Sequence, residues 1–366
     1  MRAPSNKSAS RIIAHLDMDA FFASIEERDN ERFRGLPIVV GADPEGGKGR
    51  GVVSTANYKA REYGIRSALP ISKAWEYSEK ARKEGKPPAV FLGVHMKRYS
   101  EVSQNIMAIV RHYAKECEQA SVDEMYLDLS YLGSFEKAEK ICETIKKEIR
   151  DKEKLSCSIG IGPNKLIAKI ASDYKKPDGL TVVREREAEL FLGPMGIRKI
   201  PGIGPKTEAV LNKKNITLVE DIKNYSLEEL RDMLGKFGAE LYGKARGLDD
   251  SPVVEEYETK SIGEQETFMK DTRDAAFVSL RMEALCESVF KSFKMSEFSH
   301  FRTIVVTVRF SDFDTKSRAH TLSEDADDVI TLKFEALKLL LPFFDSRENP
   351  RKKSFRLIGV RLEKLV

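Results

Sequence analysis

Cysteine is scarce in this chain: Cys117, Cys142, Cys157 and Cys286 are scattered, with no CxxC pair and no histidine beside them at zinc-ligand spacing. That excludes a disulfide-stapled scaffold and a cysteine-rich zinc module, and leaves four small core thiols in a reducing compartment. Long apolar runs are missing too. Nowhere do 18 uncharged apolar residues follow one another, and the opening MRAPSNKSASRIIAHLDMD has no apolar stretch before its acids. Neither a membrane span nor a secretory signal is expected, and the protein reads as soluble and intracellular. An excess of one charge is absent as well: 62 Lys and Arg against 58 Asp and Glu give +4, which permits nucleic-acid binding without demanding it.

What is present is enough apolar material, 41% of 366 residues, for two to four cored units at about 150 residues each. Up to about residue 184 strands and helices mix, as in an antiparallel sheet backed by helices on one face. Within it, YSEVSQNIMAIVRHYAKEC has apolar residues at helical spacing from Lys97 to Glu118. Short helices with Gly-rich turns follow, then DDSPVVEEYETK as a charged linker. The last block alternates again, with TIVVTVRFSDF and FRLIGVRLEKLV as strands and two amphipathic helices between and before them.

Two acidic sites fall at strand ends. In LDMDAFF, Asp17 and Asp19 are two apart and would present both carboxylates from one face, an arrangement a divalent cation stabilises and a solvated strand end explains equally well. In ASVDEMYLDLS, alternation places Asp123 with Met125, Leu127 and Leu129, and Glu124 with Val122, Tyr126 and Asp128; the plain alternative is that both acids lie in a turn before the strand, facing water. If the two sites faced each other across adjacent strands, they would form a carboxylate cluster suited to two Mg²⁺ about 3.5–4 Å apart, with the Met18 carbonyl as a further ligand. STANYKAREYGI adds Thr55, Tyr58 and Arg61 along one side of a helix or its entry, groups that suit phosphates. Lys176, in SDYKKPDG, could reach the same phosphates or merely complement a helix dipole.

LDMDAFFASIEE, VVSTANYKAREYGI, SVDEMYLDLS, SIGIGPNKLIAKIASDYKKPDG and KIPGIGPKT, in that order along nearly the whole chain, resemble the Y-family DNA polymerases of the DinB, or DNA polymerase IV, type. The resemblance implies an α+β multidomain, right-hand polymerase: a mixed-sheet palm at 1–22 and 80–183 and small fingers at 23–79. An all-helical thumb would occupy 184–250, a linker 251–257, and an α+β little finger 258–366. It implies template-directed, low-fidelity translesion synthesis without proofreading, by two-metal transfer from dNTP to a primer 3′-hydroxyl.

Carried onto these positions, the resemblance makes Asp17, Asp123 and Glu124 catalytic metal ligands with the Met18 carbonyl, and demotes Asp19 from Asp17's equal. Met18 stands where many relatives have an aromatic; only its carbonyl is required. Phe22 becomes the steric gate against a ribose 2′-hydroxyl, with core packing as the plain alternative. Phe21, Thr55, Tyr58, Arg61 and Lys176 join it around the dNTP, and Val52 and Ser54 roof the nascent base pair. KIPGIGPKTEAVL resembles a helix-hairpin-helix whose Gly202, Gly204 and Lys206 meet DNA phosphate.

The expected partners are primer-template DNA and dNTPs, for a monomer in the cytoplasm of a prokaryotic cell without membrane contact. A sliding clamp is a further expected partner; the chain closes on RLEKLV directly after a predicted strand, with no clear terminal motif for it. Two other readings remain at this point. One is a haloacid-dehalogenase-like phosphohydrolase, against which stands Phe21 where Thr or Val is usual; the other is a DNA-binding protein without catalysis, against which stand the intact acids.

Overall fold

β1 (Ile13–Met18) is the middle strand of the first sheet because the run IIAHLDM is buried on both of its faces. The computed structural model describes residues 11–256 and 258–366. The chain divides into two units, Met1–Glu256 and Tyr257–Val366, each with its own apolar core.

After β1 the backbone turns sharply through Ala20, at φ 47° in the left-handed region, into α1 (Phe21–Asp29). Next come β2 (Ile38–Gly41), β3 (Val53–Ala56), α2 (Tyr58–Glu62), α3 (Ile71–Lys83) and β4 (Val90–Leu92). β2 pairs antiparallel with β3 and parallel with β4, closing a small sheet of order β3-β2-β4. β4, beyond the boundary expected between residues 79 and 80, hydrogen-bonds into this small sheet.

α4 (Met96–Arg111), β5 (Glu116–Gln119), β6 (Glu124–Asp128), α5 (Phe135–Glu153), β7 (Cys157–Gly162), α6 (Lys165–Tyr174) and β8 (Leu180–Val182) complete the large sheet, of order β5-β6-β1-β7-β8. Only β7 and β8 run parallel. The helix expected to reach Glu118 ends at Arg111, because ECEQ pairs with β6 as an edge strand.

Leu16 and Met18 point into the core built with α4 and α5, where Val102, Ile106, Cys142 and Ile145 recur at helical spacing. Ile13 and His15 point the other way, toward α6. Helices thus cover both faces of the sheet, not one. Gly160 makes the second layer possible: a Cβ there would lie 2.1 Å from the Ala168 carbonyl oxygen, so α6 rests on bare backbone of β7.

α7 (Ala188–Leu192), α8 (Pro205–Asn212), α9 (Leu227–Leu234) and α10 (Lys236–Lys244) form the helical segment. They share a core with Leu166, Ile167 and Ile170 of α6, so that segment is seated on the helix behind β1. The first half of the expected linker is fastened down. Arg11 donates to the Ser251 carbonyl, and the Val254 amide donates to Glu118, a buried carboxylate also gripped by Lys165 at 2.6 Å.

In the second unit β9 (Ser261–Thr272), α11 (Ala275–Lys294), β10 (Phe301–Phe310), β11 (Thr315–Ala326), α12 (Val329–Leu340) and β12 (Phe355–Glu363) give an antiparallel sheet of order β11-β10-β12-β9. Ile304, Val306 and Val308 with Ile358, Val360 and Leu362 meet α11 and α12 on one face. The opposite face is free of helices within the unit and carries Thr303, Thr307, Arg309, Gly359 and Arg361.

Candidate active site

Antiparallel pairing sets Asp17 directly opposite Glu124 across β1 and β6. β6 begins at Glu124, so Asp123 lies in the bend before the strand and the alternation that grouped it with Met125 does not reach it. Ser121 shapes that bend: its hydroxyl donates to Asp123 Oδ1 at 2.6 Å and accepts from the amides of Asp123 and Glu124. The Met18 amide donates to the Asp123 carbonyl at 3.0 Å, which locks the two acidic strand ends together.

Asp19 has another task. It is buried, and its carboxylate accepts from Ser156 and Ser158 hydroxyls and the Asp178 amide, each at 2.8 Å, and from the Tyr58 hydroxyl at 3.3 Å. β1 has ended by then, so the two carboxylates of the DxD do not share a strand face. Asp19 is a hub that ties β7, α2 and the turn after α6 to the end of β1.

Two lysines from α6 and the turn after it cover the acids. Lys169 Nζ lies 2.6 Å from Glu124 Oε1, and Lys176 Nζ lies 2.6 Å from Asp17 Oδ2 and 2.7 Å from Asp173 Oδ1. Asp17 is pushed up to about 7 by burial, with the charges of Glu124 and Asp123 adding to it and Lys176 opposing. For Lys176 burial works against the charge, but Asp17 and Asp173 hold it above the ordinary lysine value.

Phe22, on the first turn of α1, is half-buried and stacks on Tyr99 with ring centroids 4.3 Å apart and planes 12° apart. Tyr99 is fully buried, and its hydroxyl donates to Glu26 Oε1 at 2.7 Å, so the ring behind Phe22 is pinned at its far end. Phe21 is 1% exposed in the core, which leaves only its main chain for any ligand.

Tyr58 and Arg61 lie on α2, which Asn57 caps; the Arg61 guanidinium sits 4.5 Å over the Tyr58 ring and donates to the Ala56 carbonyl. Tyr58 is pushed up to about 12 by burial and then by Asp19. Thr55 stands on β3, not on the helix, because the helix starts only after the cap. Val52 is half exposed just before β3, and Ser54, two residues on, is partly exposed beyond buried Val53.

The hairpin residues lie on the helical segment. Gly202 has φ +98°, and a Cβ there would meet the Phe237 ring at 2.8 Å; Gly204 starts α8, where Lys206 is exposed. A cleft of about 670 Å³ is lined by Tyr126, by Lys165 and Lys169 of α6, and by Pro201, Lys244 and Leu248 of the helical segment.

Among the described residues no group of three or more His, Cys, Asp or Glu side chains is gathered to hold a metal ion as it stands. Lys169 pairs with Glu124, Lys176 with Asp17, and Ser121 holds Asp123. The donor chemistry nonetheless fits a hard divalent cation, since Asp17, Asp123 and Glu124 offer carboxylate oxygens at two adjoining strand ends. Residues absent from the sequence reading are Lys169, His15, Ser121 and Tyr99. For Lys169 a signal existed, as Lys165, Lys169 and Asp173 recur every four residues along α6.

Residues 16–173 match the impB/mucB/samB family, residues 198–249 the DNA polymerase-iota thumb domain, and residues 259–366 the impB/mucB/samB family C-terminal domain. The protein named DNA polymerase IV 2 of Methanosarcina mazei is 46% identical over 98% of this chain and 94% of its own length. DNA polymerase IV of Streptococcus mutans is 37% identical over 99% and 94%. Of the solved structures, a Y-family DNA polymerase chimera of Dbh and Dpo4 superposes with a TM-score of 0.84 at 30% identity, over 97% of this chain and 99% of that one. The insertion ternary complex of Dbh DNA polymerase superposes at 0.65 with 30% identity over the same shares.

Proposed function

We propose, on the premise that this chain belongs to the Y family of DNA polymerases, of the DNA polymerase IV type, that Asp17, Asp123, Glu124 and the Met18 carbonyl hold two Mg²⁺ at the primer end. The chain is a DNA-directed DNA polymerase of translesion synthesis, a family that depends on divalent metal in general. The phosphohydrolase and non-catalytic readings have no support among these relatives.

The observation that carries the site assignment is the Asp17–Glu124 pair facing across β1 and β6, with Asp123 held alongside by the Met18 amide. When bound, Mg²⁺ eases loss of the proton from the 3′-hydroxyl and steadies the charge on departing pyrophosphate. The primer oxygen then forms its bond to the α-phosphorus as the bond to pyrophosphate breaks. Lys176 leaves Asp17 for the triphosphate, where Tyr58 and Arg61 join it; the hydrogen bond from Tyr58 to Asp19 aims that helix at the acids. Thr55 and the main chain at Phe21 complete the nucleotide site.

Phe22, backed by Tyr99, blocks a 2′-hydroxyl, and the small Val52 and Ser54 leave room above the base pair for damaged bases. Residues 11–22 with 80–183 serve as palm, 1–10 of the expected palm lying outside the described residues, and 23–79 serve as fingers, whose small sheet β4 joins; 184–250 serve as thumb and 258–366 as little finger. Gly202, Gly204 and Lys206 take DNA phosphate, and the helix-free face of the last sheet grips the duplex backbone. The protein acts as a monomer on primer-template DNA with dNTPs, and a sliding clamp is a further partner. Primer extension with Mg²⁺ tests the assignment. Asp123→Ala and Glu124→Ala each abolish extension while DNA binding persists; near-normal synthesis by either refutes it.

A further inference from the structure

His15 stands two positions before Asp17 on β1, opposite Tyr126, which is two positions after Glu124 on β6. Its side chain has no exposed surface, and its ring lies against Tyr126 with centroids 4.5 Å apart. A buried imidazole has two ring nitrogens to satisfy. Nδ1 is 2.8 Å from Ser172 Oγ. Nε2 has no hydrogen-bond partner and lies 4.0 Å from Glu124 Oε2.

Ser172 decides where the imidazole proton sits. Its hydroxyl has one proton and lies 2.8 Å both from His15 Nδ1 and from the Lys169 carbonyl. With that proton on the carbonyl, Nδ1 must be the donor, and Nε2 turns a lone pair toward the Glu124 carboxylate in a region of low dielectric. With the proton given to Nδ1, the N–H is on Nε2 and faces the carboxylate. The Lys169 carbonyl loses little, since it lies inside α6 with helical bonding of its own. The 2.8 Å contact from hydroxyl to carbonyl describes the first arrangement, and the carboxylate beside Nε2 favours the second.

We propose that His15 is a positioning residue for Glu124: its imidazole, with the proton kept on Nε2 by Ser172, donates to the Glu124 carboxylate as that side chain swings from Lys169 toward Mg²⁺. This rests on the reading of Glu124 as a metal ligand. The gap of 4.0 Å exceeds a hydrogen bond by about 1 Å, which a rotation within one glutamate side chain covers. The bond fixes the plane of the carboxylate, as outer partners of metal ligands do, and replaces a lysine whose charge competes with the cation.

The test is single-nucleotide incorporation by the full chain under Mg²⁺ titration, comparing wild type, His15→Gln, His15→Phe and Glu124→Ala. Gln offers an N–H near the place of Nε2; Phe offers volume alone. His15→Phe is expected to lower kcat and raise the half-saturating Mg²⁺, each by about tenfold, with the dNTP KM within about twofold and most of the loss recovered in His15→Gln. A space-filling histidine gives the reverse order, because an amide fits an apolar slot worse than a phenyl ring. Wild-type behaviour of His15→Phe, or His15→Gln no better than His15→Phe, overturns the proposal. Should His15→Phe fold poorly, Ser172→Ala carries the test: a lower kcat at unchanged Tm supports the proposal, and an unchanged kcat and Mg²⁺ requirement overturns it. Nitrogen-15 NMR of the wild type should find the proton on Nε2; a proton on Nδ1 overturns it. Synthesis retained by Glu124→Ala removes the ligand assignment itself, whereas an inactive Glu124→Ala beside a fully active His15→Phe removes only this inference.

Discussion

Sugar discrimination should depend on two rings, not one. Phe22 is the proposed gate, but the ring that keeps it upright is Tyr99, stacked at 4.3 Å and anchored through its hydroxyl to Glu26. Phe22→Ala removes the obstacle itself; because an apolar pocket rejects an added hydroxyl by about 100-fold, the preference for deoxynucleotide over ribonucleotide should fall by that order. Tyr99→Leu leaves the obstacle and removes its support. An aromatic pair is worth about 0.5–1.5 kcal/mol beyond its buried area, which at about 1.36 kcal/mol per decade limits the loss of preference to roughly 2- to 12-fold. Tyr99→Phe keeps the stack and should stay near wild type. The assay is kcat/KM for a matched dNTP and rNTP opposite one template base. Unchanged preference in Phe22→Ala, or a larger loss in Tyr99→Leu than in Phe22→Ala, refutes the reasoning.

Asp17 makes the stability of the metal-free protein depend on pH: its pKa is raised from 3.8 to about 7, so the folded state binds the proton more tightly than the unfolded state. That contribution is complete below pH 3.8 and is lost as pH rises through about 7. Mg²⁺ should therefore raise Tm more at pH 8 than at pH 5.5, and Asp17→Asn should remove the difference; a pH-independent shift in wild type contradicts this. At the hairpin, Gly202→Ala meets both a positive φ and the Phe237 ring, and should cost about 1–3 kcal/mol of stability. It should weaken binding equally to duplexes of unrelated sequence, measured by titration; loss confined to one sequence contradicts a phosphate contact.

The strands that build the large sheet were legible where the sequence is apolar on both faces, as in β1, or nearly so, as in β7. β9 and β11 were not. SIGEQETFMKDT and TKSRAHTLSEDA are edge strands with most side chains exposed, so no apolar alternation marks them. β5 was missed for a related reason: its four residues have only two buried side chains, and they follow a strong helical pattern. Asp17 and Asp19 look equivalent by spacing, and what separates the partly buried ligand candidate from the buried hub is that β1 ends at Met18, between them. Asp123 illustrates the limit of parity. Its place depends on where β6 begins, which Ser121 sets through three hydrogen bonds that no periodicity reveals. Lys169 meets Glu124 because α6 lies on the bare backbone at Gly160, and His15 comes within 4.0 Å of it because β1 pairs with β6, tertiary contacts beyond the reach of local pattern.

The most direct test of the central claim is a crystal of the protein with primer-template DNA, a non-hydrolysable dNTP and Mn²⁺, read by anomalous scattering. Two peaks about 3.5–4 Å apart among Asp17, Asp123, Glu124 and the Met18 carbonyl, with Lys169 and Lys176 released from the acids, are the expected result. Anomalous density elsewhere, or lysines still bound to Glu124 and Asp17, contradicts it.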